Sequence, residues 1–361
     1  MPITTEKDIK SALESVELPY LGVNPVAAGL PLNIAVDDAG IEVELQVGFP
    51  VGGCATELTG PMADALGGLV EGNVSVKLTQ KVVAHEVQST LTPLPGVKNI
   101  IAVASGKGGV GKSTIAVNLA LALKADGARV GMLDADIYGP SQARMLDSED
   151  EQPVSKDGKR FEPIESHGIY MISAGNLFGN DQPAVWRGPM ATRALTQLAL
   201  DTNWPDLDYL IVDMPPGTGD IQLTLSQKIP VAGAVIVTTP QDIALLDARK
   251  GYQMFDKVNV AVLGVVENMS VFVCPHCGES THLFGEGGGA DMAGDYELPL
   301  LGQVPLSLDI RAEADAGNPS VIANPDGTAA QEYFRIARNT AARLSLRKKD
   351  YKKAFPKIVV E

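Results

Sequence analysis

Residues 1–88 alternate between helical and strand-like patterns of apolar positions. A helix is predicted over residues 5–15, and another follows Cys54. Strand-like runs occupy residues 32–36, 41–47 and 74–83. The alternation of apolar and polar residues within them is typical of strands that have one face on a core. The pattern predicts a small α+β domain.

Residues 89–98 (STLTPLPGVK) have no periodicity and contain two prolines and a glycine, which predicts a linker. Beyond them, apolar runs are separated by helix-length segments. The runs are residues 100–104, 130–133, 169–172, 209–212, 234–237 and 262–266. Such runs predict a mainly parallel sheet between helix layers. We therefore expect an α/β domain over residues 99–345 and a C-terminal tail over 346–361.

Composition and charge matter mainly for what they exclude. The formal net charge is −15, and the basic stretch RKKDYKK at residues 347–353 is typical of a solvated helix end. Nucleic-acid-binding proteins normally carry a basic face, so we expect no nucleic-acid partner. No apolar run approaches the roughly 20 residues of a membrane span, and the N-terminus lacks the apolar core of a signal peptide. We expect a cytoplasmic protein without a membrane partner.

A phosphate-binding signature follows the first apolar run of the α/β region. Residues 105–114 read SGKGGVGKST, and a strand, a glycine-rich turn and a helix in this order are the context of a Walker A loop. Its amide N–H groups and the helix N-terminus form an anion cradle. Lys112 should reach the β- and γ-phosphates of ATP, and Ser113 should bind Mg²⁺. The predicted nucleotide-binding residues of the loop are Gly106, Lys107, Gly108, Gly109, Val110, Gly111, Lys112, Ser113 and Thr114.

Aspartates follow two of the predicted strands, at the edge where α/β proteins bind ligands. Asp213 ends the run 209–212, which is the Walker B position, and should hold Mg²⁺ through water. Asp134 and Asp136 follow the run 130–133 in the same way. The alternative role for each aspartate is a cap on the following helix. No catalytic base is evident, so we expect slow hydrolysis that depends on positioning.

The three cysteines, Cys54, Cys274 and Cys277, do not make a disulfide framework, which indicates a reducing compartment. Cys274 and Cys277 lie in the sequence Cys-Pro-His-Cys-Gly. This spacing suits a redox dithiol, half of a metal site, or neither. Two copies of the chain would complete a four-thiolate set for a 4Fe–4S cluster or for zinc. Cys54, His276 and His282 are alternative ligands.

Lys107 is a second lysine inside the phosphate loop. A loop with two lysines resembles that of the deviant Walker A class, which includes partition ATPases, MinD, nitrogenase iron protein and arsenite-pump ATPases. Beyond the loop, the chain resembles the Mrp/ApbC iron–sulfur cluster carrier ATPases, whose nucleotide domain is shared with Nbp-type cluster scaffolds. The matching segments are residues 96–114, 133–141 (LDADIYGPS), 186–190 (WRGPM), 208–220, 238–251, 266–278 and 283–289. Residues 1–85 resemble the small domain that precedes the ATPase in many of these proteins.

The resemblance implies a homodimer with two facing nucleotide sites, in which Lys107 reaches the nucleotide of the partner subunit. It also implies that Cys274 and Cys277 of both subunits bind a 4Fe–4S cluster between them. The cluster would pass to apo-proteins, and ATP binding and hydrolysis would gate its loading or release. Cys54 matches the single cysteine of the small domain, although Cys54-Ala55 stands where that family often has Cys-Pro.

Three further roles follow from the same resemblance. Asp136 would position the attacking water, and Asp134 would support Mg²⁺. Asn268, in the sequence Glu-Asn-Met-Ser, would contact the adenine. The alternative role for Asn268 is that of a turn residue at the end of a strand. The choice of ATP over GTP also rests on the resemblance.

Two rival functions share part of this pattern. A positioning or partition ATPase of the MinD/ParA type would have the same phosphate loop, but such a switch has no use for the cysteine pair. Alternatively, the four thiolates would hold a structural zinc that clamps the dimer, because thiolates at this spacing serve both metals.

Overall fold

Two sheets organise the residues that the structure, a computed structural model, describes: 5–37, 40–70, 72–178 and 188–350. The N-terminal unit consists of α1 (Glu6–Glu14), β1 (Leu32–Asp37), β2 (Gly40–Val47), α2 (Ala55–Gly67) and β3 (Asn73–Gln80). Strand β2 pairs with β1 antiparallel and with β3 parallel, as α2 crosses between them. The alternation along β2 buries Ile41, Val43, Leu45 and Val47. The small α+β fold is as predicted, although β3 ends three residues earlier than the predicted run.

The second sheet carries the remaining strands of the described residues. They are β4 (Val97–Ala104), β5 (Val130–Asp134), β6 (Ile164–Ser166), β7 (Ile169–Ser173), β8 (Leu207–Asp213), β9 (Gly233–Thr238), β10 (Val262–Val273), β11 (Ser280–Thr281) and β12 (Leu300–Leu306). The order is β11-β10-β9-β4-β8-β5-β7-β6, and β12 pairs with β10. Only the short strands β6 and β11 pair antiparallel. The predicted parallel α/β architecture is confirmed.

Helices cover both faces of this sheet. They are α3 (Lys112–Ala125), α4 (Gln142–Met145), α5 (Ala174–Phe178), α6 (Gly188–Leu200), α7 (Asp220–Lys228), α8 (Asp242–Lys257), α9 (Gly288–Asp295), α10 (Leu308–Asp315), α11 (Ser320–Ala323) and α12 (Thr328–Ser345). The strands between them are buried almost completely, because side chains on both sheet faces meet a helix layer. No helix among the described residues is both long and apolar enough to cross a membrane.

Several bounds differ from the predicted ones. Strand β4 begins at Val97, inside the predicted linker, and β10 runs on to Val273 rather than ending at Val266. The first residues of the predicted tail lie against the chain before β4, where the Glu86 N–H donates to the Lys348 carbonyl at 2.9 Å. Residues 186–187 of the segment WRGPM, and 351–361 of the tail, lie outside the described residues.

A buried ion pair inside the α/β unit is the point at which the N-terminal unit contacts it. Arg338 on α12 donates to both carboxylate oxygens of Asp126, at 2.8 and 3.1 Å. The N–H of Gly53 donates to Asp126 Oδ1 at 3.0 Å, and that of Gly52 to the Asp126 carbonyl at 3.0 Å. A Cβ on Gly52 would lie 2.8 Å from the backbone carbonyl oxygen of Asp126, so only glycine permits this close approach of the two backbones. Since Asp126 caps the end of α3, the contact ties the small unit to that helix.

Substitution of Arg338 by alanine should destabilise the protein by about 3–5 kcal/mol, because it leaves the buried Asp126 carboxylate without its cation. Arg335, on the same helix, is half exposed and pairs with Glu332. Arg335→Ala is the matched control and should cost about 1 kcal/mol or less. Urea unfolding followed by circular dichroism measures both changes. Equal losses in the two variants would contradict a stabilising role for the pair.

Candidate functional site

The phosphate loop joins the end of β4 to the start of α3, as its sequence predicts. Gly109 and Gly111 have φ angles of 82° and 80°, in the left-handed region that favours glycine. Gly106 lies so close to the backbone of Asp247 on α8 that a side chain there would collide with it. The first turn of α3 therefore points its free N–H groups into the loop, which is the arrangement that binds phosphate.

Strand β10 and the loop after β8 form hydrogen bonds with the backbone of the phosphate loop. The side-chain amide of Asn268 on β10 is nearly buried and donates to the Val110 carbonyl at 2.8 Å. The Gly217 N–H donates to the Ser105 carbonyl at 3.0 Å, which links the loop after β8 to the phosphate loop. Asn268 thus contacts the loop directly, and its predicted contact with adenine stays a prediction.

Lys112 is buried at the start of α3 and forms an ion pair with Asp213, at the end of β8. Its Nζ also lies 3.2 Å from the Ser113 hydroxyl. The structure therefore brings the predicted Walker A lysine, the Walker B aspartate and the Mg²⁺-binding serine together. The predicted contact of Lys112 with the β- and γ-phosphates stays a prediction.

Asp134 is fully buried and accepts four hydrogen bonds. The donors are the backbone N–H groups of Asp136, Ser141 and Gln142, at 3.0–3.1 Å, and the Ser173 hydroxyl at 3.0 Å. Burial, followed by the charge of Asp213, raises the pKa of Asp134 to about 7. These contacts organise the loop after β5. The role of Asp134 in supporting Mg²⁺ stays a prediction.

Asp136 lies in the same loop and is nearly buried. Burial raises its pKa, and the neighbouring charge of Lys112 opposes that shift. The Asp136 side chain is therefore close to Lys112 and Asp213. A residue that positions the attacking water would have to lie there. Its predicted catalytic role stays a prediction.

Gln142 is a site residue that the sequence analysis missed. It is fully buried at the start of α4, and its Nε2 donates to Asp213 Oδ2 at 2.8 Å and to the Ser113 carbonyl at 3.0 Å. A lone glutamine after a predicted loop carries no motif. Only the fold, which brings the loop after β5 beside α3 and β8, shows where it lies.

A cavity of about 340 Å³ opens beside the phosphate loop. Its wall includes Ser113 and Thr114 from the loop, Asn268 and Met269 from β10, and Pro305 from β12. Most of the wall is apolar, as expected for a cavity that receives a flat base beside bound phosphates. The cavity therefore fits a nucleoside next to the phosphate cradle.

The side chains also fit Mg²⁺, which takes oxygen ligands. The hydroxyl of Ser141 and the Oε1 atom of Gln142 are buried and have no hydrogen-bond partner among the described residues. Ser141 lines the same cavity as Ser113, the Gln142 side chain contacts the Ser113 carbonyl, and Asp213 supplies a buried carboxylate beside it. Ser113 and Asp213 would hold the ion, which would neutralise phosphate charge.

Lys107 is half-buried within the loop. Its carbonyl accepts a hydrogen bond from the Ser105 hydroxyl at 2.8 Å, which helps to fix the backbone there. In the part of the chain that the structure describes, its ammonium group forms no salt bridge. A cation without an internal partner is available for a phosphate group, and its reach into a second subunit stays a prediction.

The cysteine pair forms a tight turn directly after β10. The Cys274 N–H donates to the Glu279 carbonyl at 2.9 Å, and the Gly278 N–H donates to the Cys274 carbonyl at 2.8 Å. The Cys274 sulfur accepts hydrogen bonds from the N–H groups of His276 and Cys277 and from the Cys277 thiol, and these lower the pKa of Cys274. Such a turn presents two thiolates to a metal.

The turn does not gather further ligands. His282 Nδ1 lies 3.1 Å from the Ser270 carbonyl, and its Nε2 faces Glu286 at 3.7 Å. Among the described residues, no three His, Cys, Asp or Glu side chains are grouped closely enough to hold a metal ion. Cys274 is half-buried and Cys277 is exposed. One chain therefore offers two accessible thiols at this turn.

Cys54 lies far from this turn, in the contact between the two units. It is fully buried at the start of α2, beside Arg338 and Asp126. Burial raises the pKa of Cys54 to about 12, which disfavours the thiolate that metals bind. Its packing is that of a small apolar residue.

Comparison with protein families decides the identity of the α/β unit. The model of the ParA family, described as NUBPL iron-transfer P-loop NTPase, matches residues 96–341. The chain belongs to this family. A second model, described as iron-sulfur cluster assembly protein, matches residues 6–78 and thus most of the small unit. The resemblance found in the sequence is confirmed for both units.

Several relatives of this NUBPL-type chain carry the name iron-sulfur cluster carrier protein. The one from Pseudomonas fragi is 57% identical over 266 residues, covering 73% of this chain and 93% of that protein. The one from Haemophilus influenzae is 50% identical over 309 residues, covering 84% and 82%. The mouse iron-sulfur cluster transfer protein NUBPL is 51% identical over 254 residues, covering 70% and 79%.

Solved structures agree with the family. The nucleotide-binding protein of Archaeoglobus fulgidus in complex with ADP is 35% identical, with a TM-score of 0.58, and the match covers 66% of this chain and 91% of that chain. The cell division ATPase MinD of Pyrococcus furiosus has a TM-score of 0.52 at 23% identity, covering 67% and 97%. The second likeness shows the P-loop NTPase fold alone.

In this NUBPL-type P-loop, Lys112→Ala should weaken ADP binding about 100-fold, because it removes a charged hydrogen-bond donor to phosphate. Lys124→Ala, in the exposed last turn of α3, is the matched control and should leave the affinity unchanged. Isothermal titration calorimetry with MgADP measures both affinities. Similar affinities for Lys112→Ala and the parent chain would contradict the assigned role of Lys112.

Proposed function

We propose that this chain is an ATP-dependent carrier that holds a 4Fe–4S cluster as cargo and passes it to apo-proteins in the cytoplasm. Two copies of the chain would hold the cluster between them through Cys274 and Cys277 of each. The names of its relatives support the cargo, because they are called iron-sulfur cluster carrier or transfer proteins.

The observation that carries the proposal is the cysteine turn itself. It is a preformed turn with two accessible thiols, one of them with a lowered pKa, and it lacks any further ligand within reach in the described part of the chain. A 4Fe–4S cluster is usually held by four thiolates. A second copy of the chain, related by a two-fold axis, supplies the missing two.

Exposed apolar side chains at the same edge of the sheet support such pairing. Ile243 and Leu246, near the start of α8, are 68% and 60% exposed, and Leu283, beyond the cysteine turn, is 55% exposed. Large apolar side chains left in water near a functional site are typical of contacts with another protein surface. Lys107, which has no salt bridge among the described residues, would meet the partner's nucleotide across this contact.

Strand β10 supports a link between nucleotide and cargo. It carries Asn268, which holds the Val110 carbonyl of the phosphate loop, and it ends one residue before Cys274. A change at the Val110 carbonyl on ATP binding or hydrolysis would therefore act, through Asn268, on the strand that positions the cysteine turn. Asp136 would orient the attacking water and Asp213 would hold Mg²⁺, so hydrolysis depends on positioning and should be slow.

The turn formed by Cys274 and Cys277 disfavours a MinD/ParA-type positioning switch, because the two cysteines would have no function in such a protein. A zinc ion that clamps the dimer uses the same four thiolates and differs from the carrier function only in the metal. The test must therefore identify the metal as well as its ligands.

Anaerobic reconstitution with iron and sulfide should load about four irons per two chains and give a broad absorption band near ~400 nm. Substitution of both Cys274 and Cys277 by alanine should abolish loading, because no other thiols lie at the turn. Cys54→Ala is the matched control and should load fully, since Cys54 is buried in the contact between the two units. Iron analysis and absorption spectra distinguish these outcomes.

Full loading of the double cysteine variant would overturn the bridging site. Tightly held zinc that iron does not replace, without an absorption band, would favour the structural clamp instead. The Lys112→Ala variant should still load iron, which separates the cargo site from the nucleotide site.

A further inference from the structure

Gln142 contacts three parts of the candidate nucleotide site at once. Its Nε2 donates to Asp213 Oδ2 at 2.8 Å and to the Ser113 carbonyl at 3.0 Å. Its backbone N–H donates to Asp134 Oδ2 at 3.0 Å. A fully buried amide is unfavourable unless it is hydrogen-bonded, and these bonds join the starts of α3 and α4 to the ends of β5 and β8.

The two oxygens of Asp213 have different partners. Lys112 holds Oδ1, and Gln142 holds Oδ2. Lys112 is a long, flexible cation that phosphates attract, whereas Gln142 is neutral and fixed at both its backbone and its side chain. A phosphate that drew Lys112 away would release Oδ1 and leave Oδ2 bound to Gln142.

The neutral charge of Gln142 also suits this place. Asp134 and Asp213 are two fully buried carboxylates, and the charge of Asp213 acts on Asp134. A third carboxylate at position 142 would add repulsion, and a second cation would compete with a metal ion. The neutral amide of Gln142 donates a hydrogen bond without adding repulsion and without competing with a metal ion.

We propose that Gln142 is a positioning residue for Mg²⁺: by holding Asp213 Oδ2 it leaves Oδ1 as the oxygen available to the metal through its bound water. The inference rests on the proposed nucleotide function and adds to it a residue that acts through Asp213. Gln142 touches neither phosphate nor base in this role, so its loss should change the response to metal rather than nucleotide binding as such.

The test compares ADP affinity with Mg²⁺ and with EDTA, by isothermal titration calorimetry, in the parent chain and in Gln142→Met. Methionine has a similar length but donates no hydrogen bond. In EDTA the affinities should agree within about twofold. The gain in affinity that Mg²⁺ gives the parent chain should shrink about 10-fold or more in the variant, the usual effect of losing a hydrogen bond to a charged group.

Gln88→Met is the matched control. Gln88 is also a buried glutamine, and its Nε2 donates to the Ser226 carbonyl at 2.7 Å, away from the site. This variant should keep the full response to Mg²⁺. Gln142→Ala, which creates no new bulk, tests the same effect if methionine disturbs folding.

A double-mutant cycle locates the effect on the carboxylate. In an Asp213→Asn background, Gln142→Met should not reduce the Mg²⁺ response further. An unchanged response in the single variant, or equal losses with Mg²⁺ and EDTA, would overturn the inference alone. A parent chain that binds no ADP under either condition would overturn the proposed nucleotide site, and the inference with it.

Discussion

The burial of helix α3 on every side is the constraint on which the other features depend. Its residues from Ile115 to Leu123 are all buried, between the sheet on one side and α12 and the small unit on the other. Its N-terminus forms the phosphate cradle, and Asp126 at its C-terminal end binds Gly53 of the small unit and pairs with Arg338 on α12. A helix packed all round cannot shift without disturbing the core, so the position of the phosphate loop is set by the fold.

Charge is the second constraint, because charged side chains are buried beside the N-terminus of α3. Asp213 pairs with the charge of Lys112, and Asp134 accepts four hydrogen bonds. Buried charges need such partners, and a site that binds MgATP needs partners that can be exchanged for phosphate and metal. Lys112 and Gln142 divide the two oxygens of Asp213 between a charged partner and a neutral one.

The sequence predicts the sheet and the phosphate loop because both depend on local patterns. Runs that are apolar on both faces mark the parallel strands, and the glycines and lysines of residues 106–114 mark the cradle. The prediction ends β10 too early because Glu267 and Asn268 look like a loop. In the fold both are buried, and Glu267 is satisfied by the Gly289 N–H at 2.6 Å and by Gln303 at 2.7 Å.

Features that depend on distant partners could not be predicted in this way. Strand β12 contains a glycine and a proline and was not predicted, because its pairing with β10 is visible only in the fold. The pair of Asp126 and Arg338 joins residues 212 positions apart. Gln142 has a role only beside Asp213. Cys54 has no signal that distinguishes a ligand from a buried apolar residue until its packing is known.

In the proposed carrier, the cargo site is complete only when two copies of the chain share it. Native mass spectrometry of the iron- and sulfide-loaded protein, recorded beside the double variant Cys274→Ala with Cys277→Ala, tests it most directly. We expect one 4Fe–4S cluster on a species of two chains, and no cluster on any species of the variant. A cluster bound to a single chain of the parent protein would contradict it.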